Sequence, residues 1–234
     1  MSVKAIIPAA GSGKRIREDM PKQYILLAGL PLLTHTILKF QESALVDEII
    51  LVVRRDDLGW VRENILSKHN LTKVTKVVGG GAERQDSVAC GLQEIYETSR
   101  GDDIVIVHDG ARPFVDQKKI EESIIGARER GACILGLRIR ETLKRVDKNG
   151  IIQSTIPSKG LWIAQTPQAF KLPLIKKAFL LAKREGFYGT DEASLIERLP
   201  HDIKVIEGSF WNMKITYPED FQMADQIIKM GISK

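Results

Sequence analysis

The sequence predicts an α/β fold in which a mostly parallel, Rossmann-like sheet is flanked by helices. Three observations point to this fold. Short apolar runs rich in Val and Ile alternate with longer stretches of helical periodicity, as in successive βαβ units. Two of these runs lead into glycine-rich turns, at the sheet edge where such folds bind ligands. A later stretch breaks the alternation with a hairpin signal at Asn149-Gly150.

The elements of the first half follow in chain order. An apolar, β-branched run predicts a strand over 3–7, and Pro31 begins a predicted helix over 31–40. The same patterns predict strands over 48–53, 73–78 and 103–108, and helices over 56–67 and 83–99. Each strand is followed by a helix, so right-handed crossovers between parallel strands are expected.

The second half predicts a helix over 117–130 and a strand over 132–139, followed by the hairpin. The hairpin pairs 142–146 with 151–156 and forms an arm over 140–160 within a single domain over 1–234. Apolar residues return at 161–164, a helix follows over 172–185, and Thr190 or Asp191 caps another over 190–197. Strands over 203–206 and 212–216, the latter containing Lys214, precede a closing helix over 218–230.

Composition narrows the class of protein. A chain of 234 residues can bury about 70% of its unfolded surface and needs no disulfides or structural metal to fold. Cys90 and Cys133 stand in apolar surroundings without metal-ligand spacing, which predicts buried, reduced thiols and a cytoplasmic location. The start of the chain lacks the apolar stretch of a signal peptide, and no run reaches the length of a membrane span, so no membrane association is expected.

The net charge of +5 comes from 35 basic and 30 acidic residues that are interleaved along the chain. No basic tract stands out, so nucleic acid is not an expected partner. A positive field around a cleft would instead steer small polyanions such as nucleotides and sugar phosphates.

The first glycine-rich turn predicts a site for a polyphosphate. Small residues allow close backbone approach, consecutive amides favour an anion, and Arg15 and Lys22 add positive charge nearby. It is not a Walker A loop, because Arg15 follows Gly13-Lys14 and Pro8 stands where the first glycine belongs. Ile16 replaces the third glycine of a dinucleotide fingerprint. A simple tight turn would explain the glycines but not the clustered cations. The predicted nucleotide-binding residues here are Pro8, Ala9, Ala10, Gly11, Ser12, Gly13 and Lys14.

Two later turns are expected at the same sheet edge. One contains Gly81, Ala82 and Ser87, just before a helix. The other begins with Asp109, the best candidate for a Mg²⁺ ligand, because magnesium is commonly held by one carboxylate together with substrate phosphates. A cap in a turn is the alternative for Asp109. The neighbouring His108 lies on an apolar strand and is given no catalytic role.

The sequence contains no evident Ser-His or Cys-His pair, which argues against a covalent acyl-enzyme. A substrate phosphate could attack without a protein base, since it is largely ionised at neutral pH. Catalysis would then depend on in-line positioning and on cations near the developing charge.

Several motifs in order along the chain are similar to those of one enzyme family. The chain resembles the 2-C-methyl-D-erythritol 4-phosphate cytidylyltransferases of the non-mevalonate isoprenoid pathway, almost from end to end. The motifs are Pro8 to Arg15, Pro21-Lys22-Gln23-Tyr24, Gly80-Gly81 with Arg84-Gln85-Asp86-Ser87, Val107-His108-Asp109-Gly110-Ala111-Arg112-Pro113, Gln165-Thr166-Pro167-Gln168-Ala169-Phe170, Thr190-Asp191-Glu192-Ala193-Ser194, and Lys214-Ile215-Thr216 with Pro218-Glu219-Asp220.

The resemblance implies transfer of CMP from CTP to a polyol phosphate, with release of pyrophosphate. It places the catalytic residues Arg15 and Lys22 on the triphosphate and catalytic Asp109 on Mg²⁺ and substrate. It also implies that Ala10, Gly81 and Ser87 frame the cytidine, and that the chain forms a homodimer through the arm. The substrate-binding residues that it implies are Arg112, Thr142, Lys159, Thr166, Thr190 and Lys214.

Two positions depart from the family pattern. Ser158 stands where an arginine of the arm commonly contacts the substrate phosphate, and Lys159 is the cation placed to substitute for it, without arginine's bidentate geometry. Glu141 replaces a frequent aspartate. Two alternatives therefore remain: a ribitol-5-phosphate cytidylyltransferase, and a catalytically silent nucleotide-binding module.

Overall fold

The computed structural model of the protein describes residues 1–11, 20–96 and 101–231. Its helices are α1 (Leu32–Glu42), α2 (Leu58–Val61), α3 (Arg84–Tyr96), α4 (Gln117–Arg130), α5 (Leu172–Glu185), α6 (Glu192–Ile196) and α7 (Pro218–Lys229). Its strands are β1 (Val3–Pro8), β2 (Leu26–Leu27), β3 (Leu30–Pro31), β4 (Glu48–Val53), β5 (Val74–Gly79), β6 (Ile104–Val107), β7 (Ala132–Arg138), β8 (Leu143–Val146), β9 (Ile152–Ile156), β10 (Trp162–Lys171) and β11 (Lys204–Glu207).

Seven strands form one sheet in the order β11-β7-β10-β6-β1-β4-β5. All neighbours pair in parallel except β10, which is antiparallel to both β6 and β7. The mostly parallel α/β fold expected from the sequence is therefore confirmed. The antiparallel strand continues well beyond the apolar 161–164 run, through a bulge between Gln165 and Gln168.

The sheet is buried on both faces because helices cover each one. Val3, Ala5 and Ile7 of β1 face a cluster with residues of α1 and α4, whereas Ile6 faces a cluster with residues of α3 and α5. Each fully buried Ile or Leu side chain contributes roughly 1.5–3 kcal/mol of transfer free energy. At Gly91 of α3, an added Cβ would lie 2.8 Å from Ile6 Cγ2, so this glycine allows α3 to pack closely on β1.

Two helices in the structure differ from the helices that the sequence predicts. The stretch over 56–67 is not one α-helix: a 3₁₀ turn, Arg55–Asp57, precedes α2, and a π-helical turn, Arg62–Leu66, follows it. A hydrogen bond from the Ser67 amide to the Arg62 carbonyl closes this wider turn. At the other helix, Pro31 belongs to β3 and precedes α1.

The strand predicted over 212–216 does not form. The Asn212 carbonyl accepts a hydrogen bond from Arg112 Nη1, and the Ile215 carbonyl accepts one from Lys22 Nζ. The Ile215 amide donates to the carbonyl of Ala111. The segment bonds to loops at the sheet edge, and Lys214 therefore lies on a loop.

The hairpin is confirmed as β8 and β9, which pair antiparallel outside the main sheet. Its apolar residues Val146 and Ile152 are 51% and 61% exposed, and Ile163 at the start of β10 is 53% exposed. Of the cysteines, Cys133 is buried as expected, but Cys90 is only half-buried because it lies at the edge of the α3 face. Over the described ranges, none of the helices has the length and apolar character needed to cross a bilayer.

Candidate active site

The carboxyl ends of three parallel strands bring the predicted nucleotide-binding residues together. Pro8 ends β1, Gly79 ends β5, and Asp109 follows β6 by two residues. A cavity opens above these ends beside the N-terminus of α3. Its lining includes Pro8, Ala9, Ala10, Gly11, Lys22, Gln23, Gly81, Ala82, Glu83, Arg84, Ser87, Asp109, Gly110, Ala111 and Lys214.

The turn after β5 is closely packed against the turn after β1. A Cβ at Gly80 would lie 2.5 Å from the Cβ of Ala10 and 2.7 Å from Oγ of Ser87. Ser87 Oγ accepts a hydrogen bond from the Gly81 amide at 3.3 Å and donates to the Glu83 carbonyl at 3.1 Å. Glycine at position 80 therefore lets the two turns meet and form one wall of the cavity.

Asp109 lies at the centre of a charged cluster. Its Oδ1 accepts a hydrogen bond from Arg84 Nε at 2.9 Å, and its Oδ2 lies 2.9 Å from Lys214 Nζ and 3.6 Å from Arg112 Nε. Its backbone amide donates to Thr166 Oγ1 at 3.1 Å. Three cations from three parts of the chain thus converge on one carboxylate that is almost fully buried.

The cluster keeps Asp109 ionised. Burial alone would raise the pKa of its carboxyl, but the charges of Arg84, Lys214 and Arg112 outweigh burial and hold the pKa well below its usual range. For Arg84, burial favours the neutral form, but Glu192 and Asp109 reverse this and raise its pKa. At neutral pH the cluster therefore consists of charged side chains.

A second cavity also adjoins this cluster. Its lining includes Arg84, Asp109, Arg112, Ala164, Gln165, Thr166, Gln168, Thr190, Asp191 and Lys214. Arg84, Asp109 and Lys214 line both cavities. Two ligands, one in each cavity, would therefore meet at these three side chains.

Hydrogen bonds hold the loop that carries Lys214. Lys22 Nζ donates to the Ile215 carbonyl at 2.7 Å, and Asn212 Nδ2 donates to the Thr166 carbonyl at 2.8 Å. Arg112 Nη1 donates to the Asn212 carbonyl at 2.7 Å. The loop is thereby attached to β10 and to both turns that it faces, which fixes the backbone at Lys214.

Arg84 and Glu192 form a pair whose role the sequence analysis missed. Glu192, 1% exposed, accepts hydrogen bonds from Arg84 Nη1 and Nη2 at 2.7 and 2.9 Å. Burial raises the pKa of Glu192 above its usual value, although the charge of Arg84 and its two hydrogen bonds to Glu192 oppose this rise. In the sequence, Glu192 stands in the first turn of the helix predicted over 190–197, and Asp191 is indeed its cap. The signal that could have revealed the pair was an acid followed directly by apolar Ala193, Leu195 and Ile196.

His108 is a buried structural histidine, as expected. Its Nε2 bonds to the Arg112 carbonyl at 3.0 Å and its Nδ1 to Thr166 Oγ1 at 3.1 Å. Burial lowers its pKa to about 4, so the ring is neutral at physiological pH. It supports Thr166 and Arg112 from behind and lines neither cavity.

The structure does not bring all the predicted site residues together. Ser12, Gly13, Lys14 and Arg15 lie outside the described residues. Thr142 and Lys159 are exposed on the arm and line neither cavity of the single chain. Thr190 is exposed at the rim of the second cavity, beside Asp191.

The donor set fits a metal held jointly with substrate. In the part of the chain that the structure describes, no group of three or more His, Cys, Asp or Glu side chains is arranged to hold a metal ion. A carboxylate has about four lone-pair sites, so Asp109 can still offer one beside Arg84 and Lys214. Magnesium is commonly bound by one or two carboxylates plus phosphates.

The family model for 2-C-methyl-D-erythritol 4-phosphate cytidylyltransferase (IspD) matches residues 3–230. The chain belongs to this family. Curated members from Syntrophus aciditrophicus and Geobacter metallireducens, both named 2-C-methyl-D-erythritol 4-phosphate cytidylyltransferase, are 45% and 42% identical. The first alignment covers 97% of this chain and 96% of the relative, and the second covers 98% of each.

Solved cytidylyltransferase structures share the fold. The Francisella tularensis 2-C-methyl-D-erythritol 4-phosphate cytidylyltransferase has a TM-score of 0.82 and 34% identity, with 97% of this chain and 99% of that one covered. The 4-diphosphocytidyl-2C-methyl-D-erythritol synthase from Anaerococcus prevotii also has a TM-score of 0.82, with 30% identity and coverage of 97% and 96%. The sequence-based predictions of the family, of a cytidylyltransferase activity and of a Rossmann-like fold are confirmed.

Proposed function

We propose that this cytidylyltransferase transfers CMP from CTP to 2-C-methyl-D-erythritol 4-phosphate, with CTP in the first cavity and the acceptor in the second. The observation that carries the proposal is that both cavities share Arg84, Asp109 and Lys214. A nucleotidyl transfer needs two phosphates in contact at one point, and this cluster is the point at which the cavities meet.

The charges of the cavities agree with this assignment. The first is lined by Lys22, Arg84 and Lys214 against Glu83 and Asp109. Lys14 and Arg15 follow Gly11 within four residues in the sequence, which favours further positive charge near the nucleotide. The second cavity is lined by Arg84, Arg112 and Lys214 against Asp109 and Asp191, so both cavities suit a phosphate, and CTP is assigned to the first because the turns after β1 and β5 line it.

The reaction is a single displacement. A phosphate oxygen of the acceptor attacks the α-phosphorus of CTP and forms a new P–O bond, while the bond from that phosphorus to the oxygen of the β-phosphate breaks. The leaving group is pyrophosphate. The attacking phosphate is largely ionised at neutral pH, so the described residues need not supply a base.

The protein contributes position and charge. Lys22 is placed to stabilise the negative charge that develops on the triphosphate, and Arg112 and Lys214 are placed to hold the acceptor phosphate. The Thr166 hydroxyl supports Asp109 through its backbone amide. Cations that are in place before the reaction stabilise the developing charge without reorganisation.

Asp109 is proposed to hold Mg²⁺ together with the phosphates of CTP. When bound, the metal supplies charge neutralisation at the reacting phosphates. Asp109 is suited to the role because the surrounding cations keep its carboxyl ionised.

Pyrophosphate release tests the proposal directly. The enzyme is incubated with CTP, Mg²⁺ and either 2-C-methyl-D-erythritol 4-phosphate or ribitol 5-phosphate. Release with the first acceptor at a higher kcat/KM supports the proposal. A preference for ribitol 5-phosphate favours the ribitol enzyme, and CTP binding without release with either acceptor favours the silent module.

A homodimer through the arm is also proposed, with Thr142 and Lys159 contacting the acceptor of the partner subunit. The support is that the arm projects from the main sheet with exposed Val146 and Ile152. Lys159→Ala is expected to raise KM for the acceptor and leave CTP binding unchanged, with Lys148→Ala at the exposed hairpin turn as the matched control. A monomer in sedimentation analysis, or an effect confined to CTP, would contradict this role.

The reaction is proposed to take place in the cytoplasm. Both cysteines of the chain are unpaired thiols, as is typical of a reducing compartment.

A further inference from the structure

Glu192 is a buried carboxylate that lines neither cavity. Its two oxygens accept from the two terminal nitrogens of Arg84, at 2.7 and 2.9 Å. Bidentate pairs of this kind are strong and fix the orientation of the guanidinium. The pair connects α6 to the start of α3, two elements that are far apart along the chain.

The pair determines which edge of Arg84 faces Asp109. Because Glu192 holds the outer edge of the guanidinium through Nη1 and Nη2, the edge that carries Nε faces Asp109, and Nε donates to Oδ1 at 2.9 Å. Arg84 therefore makes a single hydrogen bond to Asp109 Oδ1. The second oxygen, Oδ2, stays with Lys214 at 2.9 Å.

Glu192 is itself held in place from β10. Asp191 caps α6 by accepting from the Ser194 amide at 3.0 Å, and it also accepts from Gln168 Nε2 at 2.8 Å. The Ala193 amide donates to Gln168 Oε1 at 3.0 Å. These bonds attach both neighbours of Glu192 to the strand that forms the wall of the second cavity.

Gln85 holds the preceding loop. Its Nε2 donates to the Phe187 carbonyl at 3.0 Å, and its Oε1 accepts from the Gly189 amide at 2.8 Å. The loop that leads to Glu192 is thus attached to α3 next to Arg84. The pair is supported from both sides.

We propose that Glu192 is a positioning residue for cytidylyl transfer, which acts by holding Arg84 so that Asp109 is fixed where the two cavities meet. The inference rests on the proposed function. Without the Glu192 carboxylate, the guanidinium of Arg84 is free to rotate, and its Nε–H bond to Asp109 is no longer held in one direction. Asp109 would then shift away from Lys214 and from the transferring phosphate.

A double-mutant cycle tests this role. The variants are Glu192→Gln, Arg84→Gln and the combination of both, with Glu197→Gln at the exposed end of α6 as a matched control. Glu192→Gln is expected to lower kcat about 10- to 100-fold, as small displacements at a reaction centre do. Affinity for CTP, measured by calorimetry in EDTA without acceptor, is expected to change less than about threefold.

The cycle distinguishes positioning from a general loss of structure. If Glu192 acts through Arg84, the double variant has the kcat of Arg84→Gln alone, because the two effects are not additive. Glu192→Asp, which restores the charge, is expected to recover part of kcat. Glu197→Gln is expected to match the wild type.

Three results would overturn the inference: an unchanged kcat in Glu192→Gln, full additivity in the double variant, or equal losses of kcat and CTP affinity. If Glu192→Gln does not fold, the double variant is compared with Arg84→Gln instead, because the double variant buries no unpaired charge. A kcat of the double variant clearly below that of Arg84→Gln would overturn the inference. Inactive wild-type enzyme would instead contradict the proposed function.

Discussion

Replacement of Asp109 by Asn measures how much the charged cluster contributes to stability. Asn has nearly the same shape, but one carboxylate oxygen becomes an amide that can only donate. In the wild type, Asp109 Oδ1 accepts a hydrogen bond from Arg84 Nε and Oδ2 lies against Lys214 Nζ, each at 2.9 Å. In the variant, at least one of these contacts therefore places a donor against a donor.

The expected decrease in the free energy of unfolding depends on how exposed the three cations are. The Lys214 side chain is 41% exposed and can turn into solvent, so its contact contributes little. Arg84 and Arg112 are 28% and 12% exposed and keep their charge near the cluster. Removing one partner of a buried pair costs about 3–5 kcal/mol, and partial exposure reduces the expected loss to about 2–3 kcal/mol.

Urea and thermal unfolding in EDTA measure this decrease in the free energy of unfolding without any contribution from metal. The loss corresponds to a Tm lower by about 4–12 °C for a chain of this size. Asp202→Asn, at an exposed position, is the matched control and is expected to match the wild type. If Asp109→Asn unfolds within about 0.5 kcal/mol of the wild type, which is the usual range for surface substitutions, the cluster does not stabilise the fold as argued.

Three further outcomes are expected. Lys22→Ala lowers kcat by about 100-fold or more with an unchanged circular-dichroism spectrum, since it removes a cation from the triphosphate; near-normal turnover would exclude that role. Gly80→Ala places a Cβ 2.5 Å from Ala10 Cβ, so the two turns separate. The free energy of unfolding is expected to fall by about 1–3 kcal/mol and KM for CTP to rise; wild-type affinity for CTP in a calorimetric titration would contradict the geometry. Burial raises the pKa of Cys133 to about 11, so between pH 7 and 9 a thiol reagent is expected to modify it only after unfolding, and rapid labelling of the native protein would show that the thiol is accessible.

Much of the fold could be predicted from local pattern. The runs at β1, β4 and β6 are short, apolar and β-branched, and a parallel strand buried on both faces requires this composition. The hairpin of β8 and β9 followed from Asn149-Gly150, because its turn places Gly150 at a φ of 81°, a conformation that glycine adopts without strain. These elements are determined by residues within a few positions of one another.

The segment 212–216 could not be predicted in the same way. Its alternation of apolar and polar residues is typical of a strand, but its carbonyls accept from Lys22 and Arg112. Those donors come from distant parts of the chain. Tertiary hydrogen bonds therefore decided the structure against the local pattern.

The active site also contains some residues that local sequence predicts and others that it does not. Asp109 is predictable because it follows an apolar strand, whereas Arg112 and Lys214 are predicted as substrate-binding residues only through the resemblance to the family. The Arg84–Glu192 pair joins residues 108 positions apart, and no spacing rule connects them. Glu192 had a sufficient local explanation as an acid near a helix start, and the apolar residues after it indicate burial without identifying Arg84 as its partner.

The stereochemical course at the α-phosphorus tests the central claim that the acceptor phosphate attacks CTP directly where the two cavities meet. The enzyme is given CTP with a chiral thiophosphate at the α-position and 2-C-methyl-D-erythritol 4-phosphate, and the product configuration is determined by ³¹P NMR. Inversion is expected, because a single in-line displacement inverts the phosphorus. Retention would show two displacements through a cytidylylated enzyme, and would contradict the account.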